Sequence, residues 1–268
     1  MKNILYLTGL ILVISCNNNG SIEKAKESLS KKNYNRALYE VGNILEEDTQ
    51  NLEALKIRGT CFFEIREFKS ASIDFTKYLR IENEDTNILY KRAEAFEKLN
   101  LIDSAIHDYG TILSIDPNHI PSLNSRGFLF SSLQENNRAL VDYYKILSLD
   151  SNHYITYSNI GIIYAKLAKY NDAIDQYTKA LNINRKDPRV FYNRGISYLY
   201  ATKYQDALSD FNSALVLDSS KSYYYLDRGN AYDLLNQNSK ACENWLKAYK
   251  MGNKDAESLL DENCNSIK

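Results

Sequence analysis

Proline and glycine are scarce, 3 and 10 in 268 residues. That starves an all-β fold of the turns its closely spaced hairpins need. Net charge is also nearly absent: 33 Lys plus Arg meet 34 Asp plus Glu, a formal −1 at pH 7. A nucleic-acid binder would carry a basic footprint, and there is none. Histidine is limited to His107, His119 and His153, and no Cys/His spacing suits zinc. No glycine-rich phosphate loop or nucleophile elbow occurs, so the sequence offers no metal, no cofactor and no catalytic residues. An enzyme is retained only as a remote alternative. What is present is 44% apolar and 25% charged residues, the balance of a folded globular chain. Tyrosine is abundant, at 22 against 9 Phe and 1 Trp.

The N-terminus runs apolar from Ile4 to Ile14, interrupted by Thr8 and Gly9, behind a single Lys2. Such a run is too short for a membrane-spanning helix, which needs about 20 residues, and reads as a signal peptide over 1–15. Leu12-Val13-Ile14-Ser15-Cys16 resembles the lipobox of bacterial lipoproteins, in which the cysteine is lipidated and becomes the mature N-terminus. The expectation is lipidation at Cys16, a polar tether over 16–20, and a membrane contact through the lipid anchor alone.

A strict period organises the rest. Ala37, Ala71, Ala105, Ala139, Ala173, Ala207 and Ala241 are spaced by 34, with no insertion. Twelve residues before each stands Ala or Gly: Ala25, Gly59, Ala93, Gly127, Gly161, Gly195 and Gly229. Four residues after each alanine comes Val41, Phe75, Tyr109, Tyr143, Tyr177, Phe211 or Trp245. Small residues on one helix let a second approach closely, and a large side chain one turn away fills the flanking space. The reading is seven antiparallel helix pairs that must stack to bury their apolar faces, an all-α solenoid.

This pattern resembles the tetratricopeptide (TPR) repeat. With the alanine column at register 20, units begin at 18, 52, 86, 120, 154, 188 and 222. The resemblance covers 18 to about 253 and implies a right-handed superhelix. It also implies a non-enzymatic scaffold whose concave groove holds a protein or peptide. The segment 254–268 reads as a capping helix and tail, and the polar Ser21, Lys24 and Ser28 predict a frayed first helix. The ending, Ala241-Cys242-Glu243-Asn244-Trp245-Leu246-Lys247-Ala248 followed by a cap with a second cysteine, resembles that of TPR lipoproteins of Bacteroidota. The expected setting is the cell envelope, on the outer membrane facing the periplasm, and the runner-up role is accessory subunit of an envelope secretion or assembly machine.

Three sets of residues follow. Register 7 carries Arg58, Arg92, Arg126 and Arg194; register 23 carries Asp74, Asp108, Asp142 and Asp210. The fifth unit lacks both charges, with Ile160 and Gln176, which predicts pairing between the two helices of one unit. Lys24 and Glu40 stand at these registers in the first unit, Arg228 and Asn244 in the seventh. Cys242, at an apolar register, and Cys264, on the apolar face of the cap, are a possible disulfide in an oxidising compartment, leaving Cys61 free. The TPR resemblance places registers 2, 5, 6, 9, 12 and 13 in the groove. Its candidates are Asn124, Ser125, Phe128, Asn159, Ile162, Tyr192, Asn193, Ile196, Tyr200, Tyr223, Asp227 and Asn230. Amides can donate to and accept from a peptide backbone, and aromatics offer side-chain pockets. The carboxylate clamp of some TPR proteins is not reproduced: Lys56 matches its start, but Thr60 and Lys91 break it. The expected ligand is therefore an extended or helical protein segment in units four to seven, not a C-terminal carboxylate. His119 and His153, both at register 34 in the connecting turns, are expected to face solvent without a ligand role.

Overall fold

A computed structural model describes residues 20–264. Cys16, the signal segment and most of the tether lie outside the described residues. All described elements are helical. They begin with α1 (20–30), α2 (Tyr34–Glu47), α3 (Leu52–Glu64), α4 (Phe68–Leu79), α5 (Thr86–Lys98), α6 (Ile102–Ile115) and α7 (Ile120–Ser132). They continue with α8 (Asn136–Leu149), α9 (Tyr154–Lys166), α10 (Tyr170–Ile183), α11 (Pro188–Tyr200), α12 (Tyr204–Leu217), α13 (Ser222–Leu234), α14 (Asn238–Lys250) and α15 (Asp255–Asn263). Odd and even helices up to α14 are the two arms of successive repeats. The chain divides into two compact bodies, one ending at Leu129 and the other beginning at Phe130. Each is a run of stacked helix pairs, the α-solenoid architecture of TPR units.

The turn inside each unit is built without glycine. Lys32, Arg66, Asn100, Gln134, Ala168, Thr202 and Asn236, spaced by 34, all sit at positive φ between 56° and 68°. In the second unit Arg66 N–H donates to the Phe63 carbonyl and Glu67 N–H to the Phe62 carbonyl (3.0 and 2.8 Å). In the sixth, Thr202 N–H reaches Leu199 and Lys203 N–H reaches Tyr198. This is the Schellman stop, which satisfies carbonyls that the helix end leaves unpaired. Only glycine adopts that conformation at no steric cost, so each of these residues is held there by its neighbours. Between units, an Asp or Asn side chain closes the connection. Asp48, Asp116, Asp150, Asn184 and Asp218 each accept from the N–H two residues on.

The two small-residue columns form the seam. All seven alanines at register 20 are fully buried. A Cβ added to Gly195 would stand 2.7 Å from the Phe211 ring, and one on Gly161 2.7 Å from the Tyr177 ring. Register 8 and register 24 are thus one contact, in which loss of a methyl admits a ring. The first helix departs from expectation. Over 20–30 it is an ordered element, with Ile22 and Ala25 buried in the first body's core and Leu29 packed against it. An apolar stripe of Ile22, Ala25 and Leu29 runs beside the polar Ser21, Lys24 and Ser28.

Candidate functional site

The arginine and aspartate columns meet inside units. Arg58 donates from Nε and Nη2 to the two carboxylate oxygens of Asp74 (2.7 and 2.8 Å). Arg92 does so to Asp108 (2.7 and 2.7 Å) and Arg194 to Asp210 (2.7 and 2.8 Å). Register 7 on the first helix and register 23 on the second make this fork possible. The carboxylates are buried and the guanidinium groups only partly exposed. The bonds from Asp74 raise the Arg58 pKa. Asp210 lies so deep that burial outweighs Arg194 and pushes its carboxyl above the usual range. Such a pair costs much to break even where forming it gains little. A further contact was not foreseen: the remaining nitrogen, Nη1, reaches back to the preceding unit. Arg92 donates to Thr76, Arg194 to Thr178 and Arg228 to Asn212 (3.3, 3.0 and 2.7 Å). Arg126 and Asp142 belong to different bodies. In the first unit Glu40 is held by Arg36, one turn away at 2.6 Å, while Lys24 is exposed.

The candidate groove residues of the second body line two cavities on the first arms of units five to seven. The smaller, about 130 Å³, is bounded by Ile155, Ser158, Asn159, Ile162, Arg189 and Asn193, among others. The larger, about 540 Å³, is bounded by Tyr192, Asn193, Ile196, Leu199, Tyr200, Asp227, Asn230 and Leu234. Asn193 borders both. Tyr223 lines neither cavity; its ring is 5.0 Å from that of Tyr192, which also packs on Tyr224 at 4.8 Å. Tyr200 is 65% exposed and stacks on Tyr170 with ring centroids 5.0 Å apart. Asn124, Ser125 and Phe128 lie in the first body, and the lining residues of the two cavities come from units five to seven.

Several polar candidates have internal work. Asn159 bonds the hydroxyl of the buried Tyr143, while the Tyr109 hydroxyl donates to Glu97 at 2.5 Å. Asn230 accepts from the Trp245 indole N–H (3.0 Å) and donates to Asp227 (3.2 Å). Tyr192 donates to the other Asp227 oxygen at 2.6 Å. Burial pushes the Asp227 carboxyl up against these two bonds. Two of the register-24 aromatics, Tyr143 and Trp245, have their polar atoms satisfied by Asn159 at register 6 and Asn230 at register 9. Asn193 makes no side-chain hydrogen bond among the described residues. Residues missed from the sequence include Arg189, at groove register 2, and its partner Asp187. Arg189 donates from Nε and Nη2 to Asp187 (3.0 and 2.7 Å), which holds that carboxyl below its ordinary range. Leu199 and Leu234, at registers 12 and 13, complete the apolar wall.

Cys242 and Cys264 are joined by a disulfide, Cα atoms 5.8 Å apart, which fastens α15 to α14. Cys61 is a buried free thiol, pushed up to about 11 by burial and so unreactive. His119 and His153 do not simply face solvent. Each is half-buried, and Nδ1 contacts the hydroxyl of Ser122 or Thr156 at 2.8 Å, at the start of α7 or α9. Among the described residues no group of His, Cys, Asp and Glu could hold a metal.

Residues 86–119 match a family model described as tetratricopeptide repeat, and residues 163–200 one described as TPR repeat. The chain carries tetratricopeptide repeats. It is similar to a TPR protein of Parabacteroides merdae, at 22% identity and a TM-score of 0.68, over 92% of this chain and 99% of that one. A second similar structure is YrrB, described as a TPR protein with an unusual peptide-binding site. It has 19% identity and a TM-score of 0.57, over 70% of this chain and 97% of that one. A segment of 88 residues is 33% identical to DnaJ protein P58IPK homolog B of Oryza sativa subsp. japonica. That match covers 32% of this chain and 19% of the rice protein.

Proposed function

We propose that the chain is a non-enzymatic scaffold that holds a segment of a partner protein in the groove of units five to seven. The observation that carries the reading is Asn193, an amide on the wall shared by two cavities, the larger walled mainly by aromatic and aliphatic side chains and the smaller by Ile155 and Ile162 beside polar Ser158, Asn159 and Arg189. Neighbouring helices stand about 8–10 Å apart and an extended peptide rises about 3.3 Å per residue, so one groove position meets roughly every third residue. Ile162, Ile196 and Tyr200 would receive side chains, while Asn193 would bond the backbone. YrrB, a TPR protein of similar fold described as having an unusual peptide-binding site, is a precedent for peptide binding by such repeats. The setting proposed is the cell envelope, with Cys16 lipidated on an outer membrane and the repeats in the periplasm. The lipobox-like string at residues 12–16 supports it, and a disulfide fits an oxidising compartment. Among the described residues no helix is long and apolar enough to cross a membrane.

The test is photo-crosslinking from two positions in envelope membranes. A photoreactive residue at Ile196, in the groove, should trap a defined partner protein. The same residue at Val216, 87% exposed and absent from both cavities, should not. Equal trapping at both positions, or none at Ile196, overturns the groove reading. Mass measurement of the detergent-extracted mature chain tests the anchor, and an unmodified N-terminus removes it.

A further inference from the structure

The seventh unit breaks the charge pattern of its predecessors. Where Arg194 has Asp210 in the sixth unit, Arg228 donates from Nε to the neutral amide oxygen of Asn244 at 2.8 Å, and from Nη1 to Asn212. This partly exposed guanidinium is therefore bonded to neutral amide oxygens and not to a neutralising carboxylate. It lies in an open pocket of about 560 Å³ between α13 and α14, with Lys240, Lys247 and Lys250. Tyr225 and Tyr232 supply aromatic walls, and Glu243 is the one carboxylate among the lining residues. The positions 34 residues earlier read Asp206 for Lys240, Ser209 for Glu243, Asp210 for Asn244, Ser213 for Lys247 and Val216 for Lys250. Two acids have been lost, one has been gained and three cations have been gained at one place in the repeat. Helix electrostatics explain part of this, since Lys247 and Lys250 occupy the last turn of α14, where cations are favoured. They do not explain Lys240, which stands at the opposite end of that helix.

We propose that this pocket binds the acidic side chains of a protein segment, as a second site distinct from the groove. It shares no lining residue with either groove cavity. A guanidinium and three ammonium groups around a concavity attract carboxylates, and the tyrosine walls cover apolar side chains between them. The concavity favours a peptide over a membrane surface, because a flat bilayer would leave the aromatic walls wet.

The experiment is fluorescence anisotropy on the whole mature chain, at low salt, with a labelled Glu-rich peptide carrying a central Phe. Its Gln counterpart serves as control. The Glu peptide should bind, the Gln peptide should not, and salt should weaken the complex. Lys247→Glu with Lys250→Glu should raise Kd at least about tenfold, equivalent to about 1.4 kcal/mol. Asn244→Asp should also weaken binding, because it restores the carboxylate that neutralises this arginine in other units, and it should do so without lowering the melting temperature. Asn193→Ala with Tyr200→Ala, which alters only the groove, should leave this binding unchanged, so failure of either site is read separately. Undiminished binding by the charge-reversed chain overturns the proposal. So does binding to phosphatidylglycerol vesicles with none to the Glu peptide.

Discussion

Removing the carboxylate of Asp108 isolates the clearest energetic element of the repeat. In Asp108→Ala, Arg92 loses two hydrogen bonds of 2.7 Å and its only counter-charge in the unit. The Arg92 side chain is 15% exposed, and Asp108 2%. Breaking a fully buried pair costs about 3–5 kcal/mol, whereas an exposed pair is worth about 1 kcal/mol or less. Arg92 keeps its bond to Thr76 and reaches water over a small part of its surface. The expected loss is therefore about 2–3 kcal/mol. Urea unfolding followed by far-ultraviolet circular dichroism reads this as a midpoint lower by about 1 M, at a slope near 2 kcal/mol/M. Arg92→Met combined with Asp108→Leu should recover much of the loss, since no buried charge then lacks a partner. A single variant that unfolds at the wild-type midpoint, with the slope unchanged, refutes the argument.

Three further outcomes follow from the same geometry. Gly195→Ala places a methyl 2.7 Å from the Phe211 ring and should cost about 1–3 kcal/mol; Phe211→Leu in the same chain should relieve part of it in a melting experiment. Replacing both Cys242 and Cys264 by Ser opens a loop of sequence separation 22 and should cost about 3 kcal/mol in the chain-entropy description. The same loss should appear on adding reductant to the wild type. Asp227 has a folded-state pKa raised by burial, so its contribution to stability is complete below the unfolded carboxylate pKa and is lost as pH rises through the folded value. Asp227→Asn should therefore gain on the wild type between acid and neutral pH, and melting curves that stay parallel across that range would contradict the assignment.

The fold was legible because the repeat states it many times. A column of seven alanines with no insertion leaves one helix-pair geometry, and the Arg58, Arg92 and Arg194 forks follow from registers set on facing helices. The groove was legible only in part. Registers predict which side of a helix faces the concavity, but not which polar atoms are already engaged. Asn159 and Asn230 look alike in sequence to Asn193, yet they serve Tyr143 and Trp245. That distinction depends on hydroxyl and indole groups brought in from other helices. Arg189 and Leu199 also stand at groove registers, 2 and 12, and the register pattern alone would have included them. Glu40 shows the limit of column reasoning: its partner became Arg36 on its own helix once the facing register held a lysine.

The central claim is that a partner segment lies along Asn193 and Tyr200, and one double variant tests it. Asn193 makes no internal side-chain hydrogen bond among the described residues, and Tyr200 is largely exposed. Asn193→Ala with Tyr200→Ala should therefore leave the melting temperature near that of the wild type. Affinity for the partner trapped at Ile196, measured by isothermal titration, should fall at least about tenfold, a loss of about 1.4 kcal/mol or more. Wild-type affinity in a folded double variant would contradict the account.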